Sequence, residues 1–323
     1  MKYREYGERS SKTILLLHGG GLSWWNYREA AELLQNEFRV ILPVLDGHAG
    51  SDRPFTTIED NAEEILAFID EHLGGSVSLL GGLSLGAQTA LEIVSRRKDV
   101  CSCALIESAA VLPSKLTNAL IGPAFGMSYG LVQHRSFAKL QFRSLRMKED
   151  LFEDDYRDTC AIRKDDMIAF MKASTSYTLK GQAAETSAKL YVFAGEKETG
   201  EIRESAREIV RKIPSSELMT LNGLRHGEFP INHAAIYAEA VRQILRGKLK
   251  PIRIPSGKTA QSPKYDAEKV KPVIRSSICT GEKTAGFKDL RTGAFREVML
   301  IRNDKDLDAF LKEYGIDQID TEY

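Results

Sequence analysis

A serine flanked by two glycines, Gly82-Leu83-Ser84-Leu85-Gly86, follows the apolar run Val77–Leu80. It precedes a helical pattern in which Ala87, Ala90, Leu91 and Val94 share one face. A serine held at a sharp turn between a strand and a helix exposes its hydroxyl for attack on a carbonyl carbon. That hydroxyl is protonated at neutral pH, so it needs a histidine to take its proton and an acid to orient that histidine. Of the six histidines, His226 lies just after the last apolar strand pattern of the alternating region, in Leu221-Asn222-Gly223-Leu224-Arg225-His226. Glu198 follows the run Leu190–Ala194, and Glu196 and Glu107 stand at comparable positions as alternative acids. In a parallel sheet all of these would fall at the carboxyl edge of the strands, where Ser84 also lies. The chain order serine, acid, histidine is the one that such a site requires. His18 and His48 read as holders of loop structure, while His72, His134 and His233 fall in helical sequence without a partner signature.

The elements that must position these groups alternate over residues 13 to 246. Thr13–Leu17 is a continuous apolar run, as in a strand covered on both faces, and residues 24 to 36 follow with helical composition. Phe38–Leu42 is the next strand. Ile58, Ala62, Ile65, Leu66, Ile69 and Leu73 recur at helical spacing behind a capping Thr57. Ala104–Ile106, Leu190–Ala194 and Glu217–Leu221 are further strands, with helices over about 201–212 and 232–246. This order predicts an α/β fold with a mostly parallel sheet between two helical layers. The alternation stops between about 111 and 185, which predicts a helical cap inserted between two strands. Trp24 and Trp25, with the cap residues Phe125, Met127, Tyr129 and Phe137, could wall an apolar acyl pocket.

From 248 to 272 the chain carries seven Lys/Arg against two Asp/Glu and four prolines, the pattern of an extended basic linker beginning near 247. Residues 273–323 regain pattern. Val273–Cys279 and Phe295–Ile301 read as strands, and Leu307, Phe310, Leu311 and Tyr314 as a helical stripe that Asn303 or Asp304 caps and Gly315 ends. A small α+β module of about fifty residues is short for an independent core, so it is expected to pack on the main domain or to join a second copy in a homo-oligomer.

The 323 residues carry 45 basic and 45 acidic side chains, so no global field draws the chain to nucleic acid or membrane. No apolar stretch reaches membrane-spanning length, and the first residues lack an apolar signal segment. Cys101 and Cys103, two apart on one strand face, are poorly placed for a disulfide. With Cys160 and Cys279 they read as reduced thiols of a cytoplasmic protein. No phosphate-binding loop, dinucleotide fingerprint or metal-ligand spacing occurs, so no cofactor or metal is expected.

Four segments together resemble the α/β-hydrolase fold of serine hydrolases, over about residues 1 to 246. Leu16-Leu17-His18-Gly19-Gly20-Gly21 is similar to that family's oxyanion segment. Asp46-Gly47-His48-Ala49-Gly50-Ser51 is similar to its loop after the next strand, with glycine and histidine unusually placed. Gly82–Gly86 resembles the nucleophile elbow, and Gly195-x-x-Glu198 with Gly223-x-x-His226 resembles the acid and base segments. The resemblance implies Ser84 as nucleophile, His226 as base and Glu198 as acid, although the family more often uses aspartate there. It implies an oxyanion hole from the N–H groups of Leu85 and Gly20 (or Gly19), and a small-molecule acyl substrate: a carboxylic ester, thioester or activated amide. The same fold also runs eliminations and carbon–carbon cleavage, and it can serve as a non-enzymatic binding module.

Overall fold

The computed structural model describes residues 1–9, 11–254, 265–266, 269–276, 283–314, 316 and 319–322; within these, the side chains at 126–128, 304, 305, 308, 312 and 313 are not described. The chain forms two compact units, Met1–Ser256 and Gly257–Tyr323.

The first unit opens with β1 (Tyr3–Tyr6) and β2 (Thr13–Leu17), a 3-10 turn at Trp24–Tyr27, α1 (Arg28–Leu34), β3 (Arg39–Pro43) and α2 (Ile58–Leu73). It continues with β4 (Val77–Leu83), α3 (Leu85–Arg96) and β5 (Cys101–Glu107). Four helices then follow without a strand: α4 (Lys115–Val132), α5 (Arg135–Leu145), α6 (Phe152–Ala161) and α7 (Lys164–Ser176). Alternation resumes with β6 (Lys189–Gly195), α8 (Gly200–Lys212), β7 (Ser216–Leu221), α9 (Glu228–Asn232) and α10 (Ala234–Leu245). The insertion between β5 and β6 thus matches the expected break in pattern.

The seven strands pair in the order β1-β3-β2-β4-β5-β6-β7. All pairs are parallel except β1 with β3. Leu15 and Leu17 of β2 enter one core cluster, and Ile14 and Leu16 enter the other, each with no exposed surface. That two-sided burial is why the strand reads as unbroken apolar sequence, and each such side chain contributes about 1.5–3 kcal/mol. Register brings Leu17 beside Gly82, Leu83 beside Glu107 and Gly195 beside Leu221, so the strand ends line one edge. The α2 helix begins where the Thr57 hydroxyl accepts from the Asp60 N–H at 2.9 Å, and it stops at Gly74, whose φ is 71°. The antiparallel edge strand β1 was not expected from the sequence. Its residues Tyr-Arg-Glu-Tyr lack the apolar run that marks the buried strands. Leu249, Ile252 and Ile254, expected in the linker, pack against the second core cluster.

Buried and half-buried polar contacts dock the helical insertion onto this frame. The Trp25 indole N–H donates to Asp158 of α6 at 2.9 Å, Arg28 pairs with Asp154 at 2.8 Å, and the Phe55 N–H donates to Asp166 of α7 at 2.9 Å. No helix among the described residues is long and apolar enough to cross a membrane.

The second unit contains β8 (Val270–Ser276), β9 (Lys283–Asp289), β10 (Phe295–Ile301), α11 (Asp304–Tyr314) and β11 (Asp320–Glu322), with the sheet ordered β10-β9-β8-β11. Ala285, Phe287, Phe310 and Ile316 form its buried centre. The expected strand at 273–279 begins three residues earlier, and Cys279 and Gly315 lie outside the described residues. Neither β9 nor β11 was expected. Two lysines and Gly286 break the apolar pattern of β9, and β11 has only three residues. Asn303 caps α11 as expected, accepting from the Asp306 N–H at 3.3 Å.

Asp158→Ala is expected to lower stability by about 1–3 kcal/mol, because it leaves the Trp25 indole N–H buried and unpaired. Asp158→Asn, which keeps an acceptor, should cost less; chemical denaturation midpoints of the two variants provide the check.

Candidate active site

Ser84 occupies the turn between β4 and α3 with φ 53° and ψ −112°. The turn is that sharp because two glycines let backbones touch. A Cβ on Gly82 would lie 2.3 Å from the Gly86 carbonyl, and one on Gly86 would lie 2.1 Å from the Leu17 carbonyl oxygen. Positive φ is costly for serine and persists only where surrounding structure enforces it. Here the Ser84 N–H also donates to the Glu107 carbonyl at 2.8 Å, tying the turn to β5. Leu85 is the first residue of α3, where helix geometry leaves the N–H without an intrahelical partner. A Cβ on Gly20 would stand 3.5 Å from the Leu85 side chain and 3.4 Å from the Phe170 ring, so the glycine loop passes directly over the start of α3. Among the described residues, neither Gly20 nor Leu85 donates its N–H to another protein group.

At the adjacent strand ends, His226 Nδ1 and Glu198 Oε2 are 3.0 Å apart. The Glu198 side chain is 1% exposed and that of His226 is 48% exposed. The carboxylate can only accept, so the network assigns the proton to Nδ1 and leaves Nε2 as a lone-pair base. The other oxygen of Glu198 accepts from the Ser108 hydroxyl. The two loops that carry acid and histidine are joined by backbone: Lys197 N–H donates to the Leu224 carbonyl and Glu196 N–H to that of Leu221, each at 2.9 Å.

Of the alternative acids, Glu196 accepts from the Gly223 N–H at 2.8 Å and so braces the histidine loop. Glu107 is buried, and burial, followed by the charge of Glu198, pushes its carboxyl well above the usual range. Glu198 alone of the three contacts the His226 ring. No hydrogen bond joins the Ser84 hydroxyl to His226 among the described residues.

His18 and His48 cross-brace the glycine loop. His18 Nδ1 donates to the Gly19 carbonyl at 2.9 Å, while Nε2 accepts from Leu45 N–H at 3.0 Å. His48 Nδ1 donates to the Asp46 carbonyl at 3.0 Å, and Nε2 accepts from Gly21 N–H at 3.0 Å. Each neutral ring therefore uses both nitrogens. Burial lowers His18 to about 3, aided by His48, and lowers His48 to about 4. The Phe170 ring of α7 stacks on His48 with centroids 4.4 Å apart.

The expected pocket residues divide. Phe125 and Tyr129 of α4 pack against the same core cluster as Leu85 and Phe170, and the Tyr129 hydroxyl donates to the Ile162 carbonyl at 2.6 Å. Met127 falls in α4, but its side chain lies outside the described residues. Phe137 is at the exposed surface. Trp24 packs against the opposite cluster, with the Arg4 and Arg28 guanidinium groups 5.0 and 5.8 Å from its ring centre. Sequence reasoning missed Phe170 and Ser108. Phe170 is the one aromatic residue in the charged stretch Asp165–Lys172, and that isolation was its only signal. Among the described residues, no cluster of three or more His, Cys, Asp or Glu could hold a metal ion.

A family model described as the alpha/beta hydrolase family matches residues 14–240. The chain belongs to that family. A thermophilic esterase from Thermogutta terrifontis is similar in structure at TM-score 0.63 and 20% identity, covering 77% of this chain and 94% of that one. An enol-lactonase from Burkholderia xenovorans (TM-score 0.65, 18% identity) covers 76% of this chain and 96% of its own. A bromoperoxidase from Bacillus anthracis (TM-score 0.65, 14% identity) covers 76% and 94%. No curated protein matches the sequence. These structural likenesses carry the fold, which is the α/β-hydrolase fold expected from the sequence.

The two buried histidines also set a pH dependence. Their folded pKa values, about 3 and about 4, lie below the unfolded value near 6.5, so the unfolded chain binds more protons in between. Their contribution is complete above pH 6.5 and is lost as pH falls, by up to about 1.4 kcal/mol per pH unit for each histidine. Asp46 and Asp155, raised to about 6 and about 7 mainly by burial, act in the opposite sense. The clean measure is therefore a difference: the stability advantage of the wild type over His48→Gln should shrink between pH 6.5 and pH 4.5 in urea titrations.

Proposed function

We propose that this protein is a serine hydrolase that cleaves a carboxylic ester, thioester or activated amide of small to medium size through an acyl-enzyme. The observation that carries the reading is the Glu198–His226 pair, set on the same sheet edge as a strained, half-buried Ser84. His226 Nε2 takes the Ser84 proton as the hydroxyl oxygen attacks the carbonyl carbon. Glu198 holds the ring in the required tautomer and stabilises the imidazolium. The N–H groups of Gly20 and Leu85 receive the oxyanion, each donor contributing roughly 3–4 kcal/mol to the barrier reduction. His226 then protonates the leaving group, and water releases the acyl group by the reverse sequence. Catalytic hydrogen bonds are often open before substrate binds, so the missing Ser84–His226 contact fits a half-exposed histidine that closes on the Michaelis complex.

In this reading α4–α7 act as a cap. Phe170, Phe125 and Tyr129 line the acyl side, and Trp24 braces the frame instead. The enol-lactonase likeness is consistent with an ester-class substrate, since a lactone is a cyclic ester. We place the protein in the cytoplasm, with support from unpaired Cys101, Cys103 and Cys160. We assign residues 273–323, behind a linker, to a separate module suited to joining a second copy. An elimination or carbon–carbon cleavage would use the same serine and histidine without a lasting acyl-enzyme.

Ser84→Ala is expected to abolish both labelling by a fluorophosphonate probe and turnover of chromogenic esters; retained turnover would sink the assignment. Glu198→Gln should lower kcat on the order of 10³–10⁴-fold by favouring the wrong tautomer. A trapped acyl-enzyme in intact-mass spectra separates hydrolysis from elimination, and a series of ester chain lengths sizes the pocket.

A further inference from the structure

We infer that Ser108 is a positioning residue for Glu198, an inference that rests on the Ser84–His226–Glu198 reading. Ser108 is the first residue after β5 and is 2% exposed. Its hydroxyl donates to Glu198 Oε1, while Glu198 Oε2 faces His226. Apart from His226, it is the one side-chain donor to Glu198 among the described residues. A glutamate has one more rotatable bond than an aspartate, and a carboxylate alone could turn either oxygen, or neither, toward the ring. The Ser108 hydroxyl removes that freedom by engaging one oxygen.

The backbone conformation points the same way. Ser108 has φ 56°, a left-handed conformation that glycine adopts at least cost. The conformation is held in place by the Ser108 N–H, which donates to the Phe193 carbonyl of β6 at 3.0 Å. A serine kept where glycine would relieve strain indicates that the hydroxyl itself is used, and strained residues of this kind gather at functional sites. The neighbouring backbone completes the arrangement: the Glu107 carbonyl holds the Ser84 N–H, and the next residue's hydroxyl holds the acid. One dipeptide at the end of β5 thereby ties the nucleophile and the acid to the same strand end, while the Glu107 side chain stays buried.

The test compares Ser108→Ala and Ser108→Gly with the wild type, with Ser84→Ala as the control on the reading. Readouts are kcat and KM on a chromogenic ester, the rate of fluorophosphonate labelling, and the thermal midpoint. Both Ser108 variants are expected to lose kcat and labelling rate on the order of 10–100-fold with KM unchanged, through misorientation of the acid. The glycine variant should keep or raise the midpoint, because its strain is relieved while its activity falls. The acid limb of its kcat/KM profile should move to higher pH, since the charged form of Glu198 loses a donor. Full kcat in a folded Ser108→Gly protein, with Ser84→Ala inactive, overturns the role of Ser108 alone. Retained turnover in Ser84→Ala overturns both readings together.

Discussion

Everything at this site depends on one close approach of backbone to backbone. Gly86 sits so near the Leu17 carbonyl, and Gly82 so near Gly86, that no side chain fits between β2, β4 and the start of α3. Because the strand must turn into the helix within that space, Ser84 is forced to positive φ and its side chain is thrown out at the sheet edge. The same approach brings the glycine loop over the first turn of α3, where unpaired N–H groups are available. The strain at Ser84 is small beside the burial of the two core clusters, which is why the fold can hold it.

Around that point side chains fix the loops through hydrogen bonds to backbone groups. His18 and His48 spend both ring nitrogens on backbone partners, Glu196 holds Gly223, and the buried Glu107 carboxyl is pushed well above its usual range by burial. Glu198 and His226 differ in kind. One oxygen and one nitrogen bind each other, and the remaining imidazole nitrogen faces outward from a half-exposed ring.

The sequence was most legible where burial is two-sided or where a motif has a steric cause. The runs at Thr13–Leu17 and Val77–Leu80, the Thr57 cap and the elbow glycines all correspond to observed features, because each residue type answers a local demand. The chain order of Ser84, Glu198 and His226 likewise placed all three on one edge. What could not be read was orientation across elements. The charged helical stretch Asp165–Lys172 does not reveal that its one aromatic residue, Phe170, covers Gly20 and His48. Chain order places Trp24 near the glycine loop in sequence but not its packing among arginines on the other side of the sheet. Ser108 carries no pattern at all, since a single serine after a strand acquires meaning only from the carboxylate that folds back onto it. The strands β1, β9 and β11 escaped because charged, glycine-containing or very short strands do not alternate cleanly.

The insertion between β5 and β6 enters and leaves the sheet at two neighbouring parallel strands. Its length therefore places no load on the pairing register, which is complete without it. It is held by polar bonds such as Trp25 to Asp158 and the Phe55 amide to Asp166, and by apolar side chains such as Phe142, Phe152, Met167 and Phe170 that enter the two core clusters. Four helices can therefore change in length and sequence while the strand order and the loops at the sheet edge keep their places.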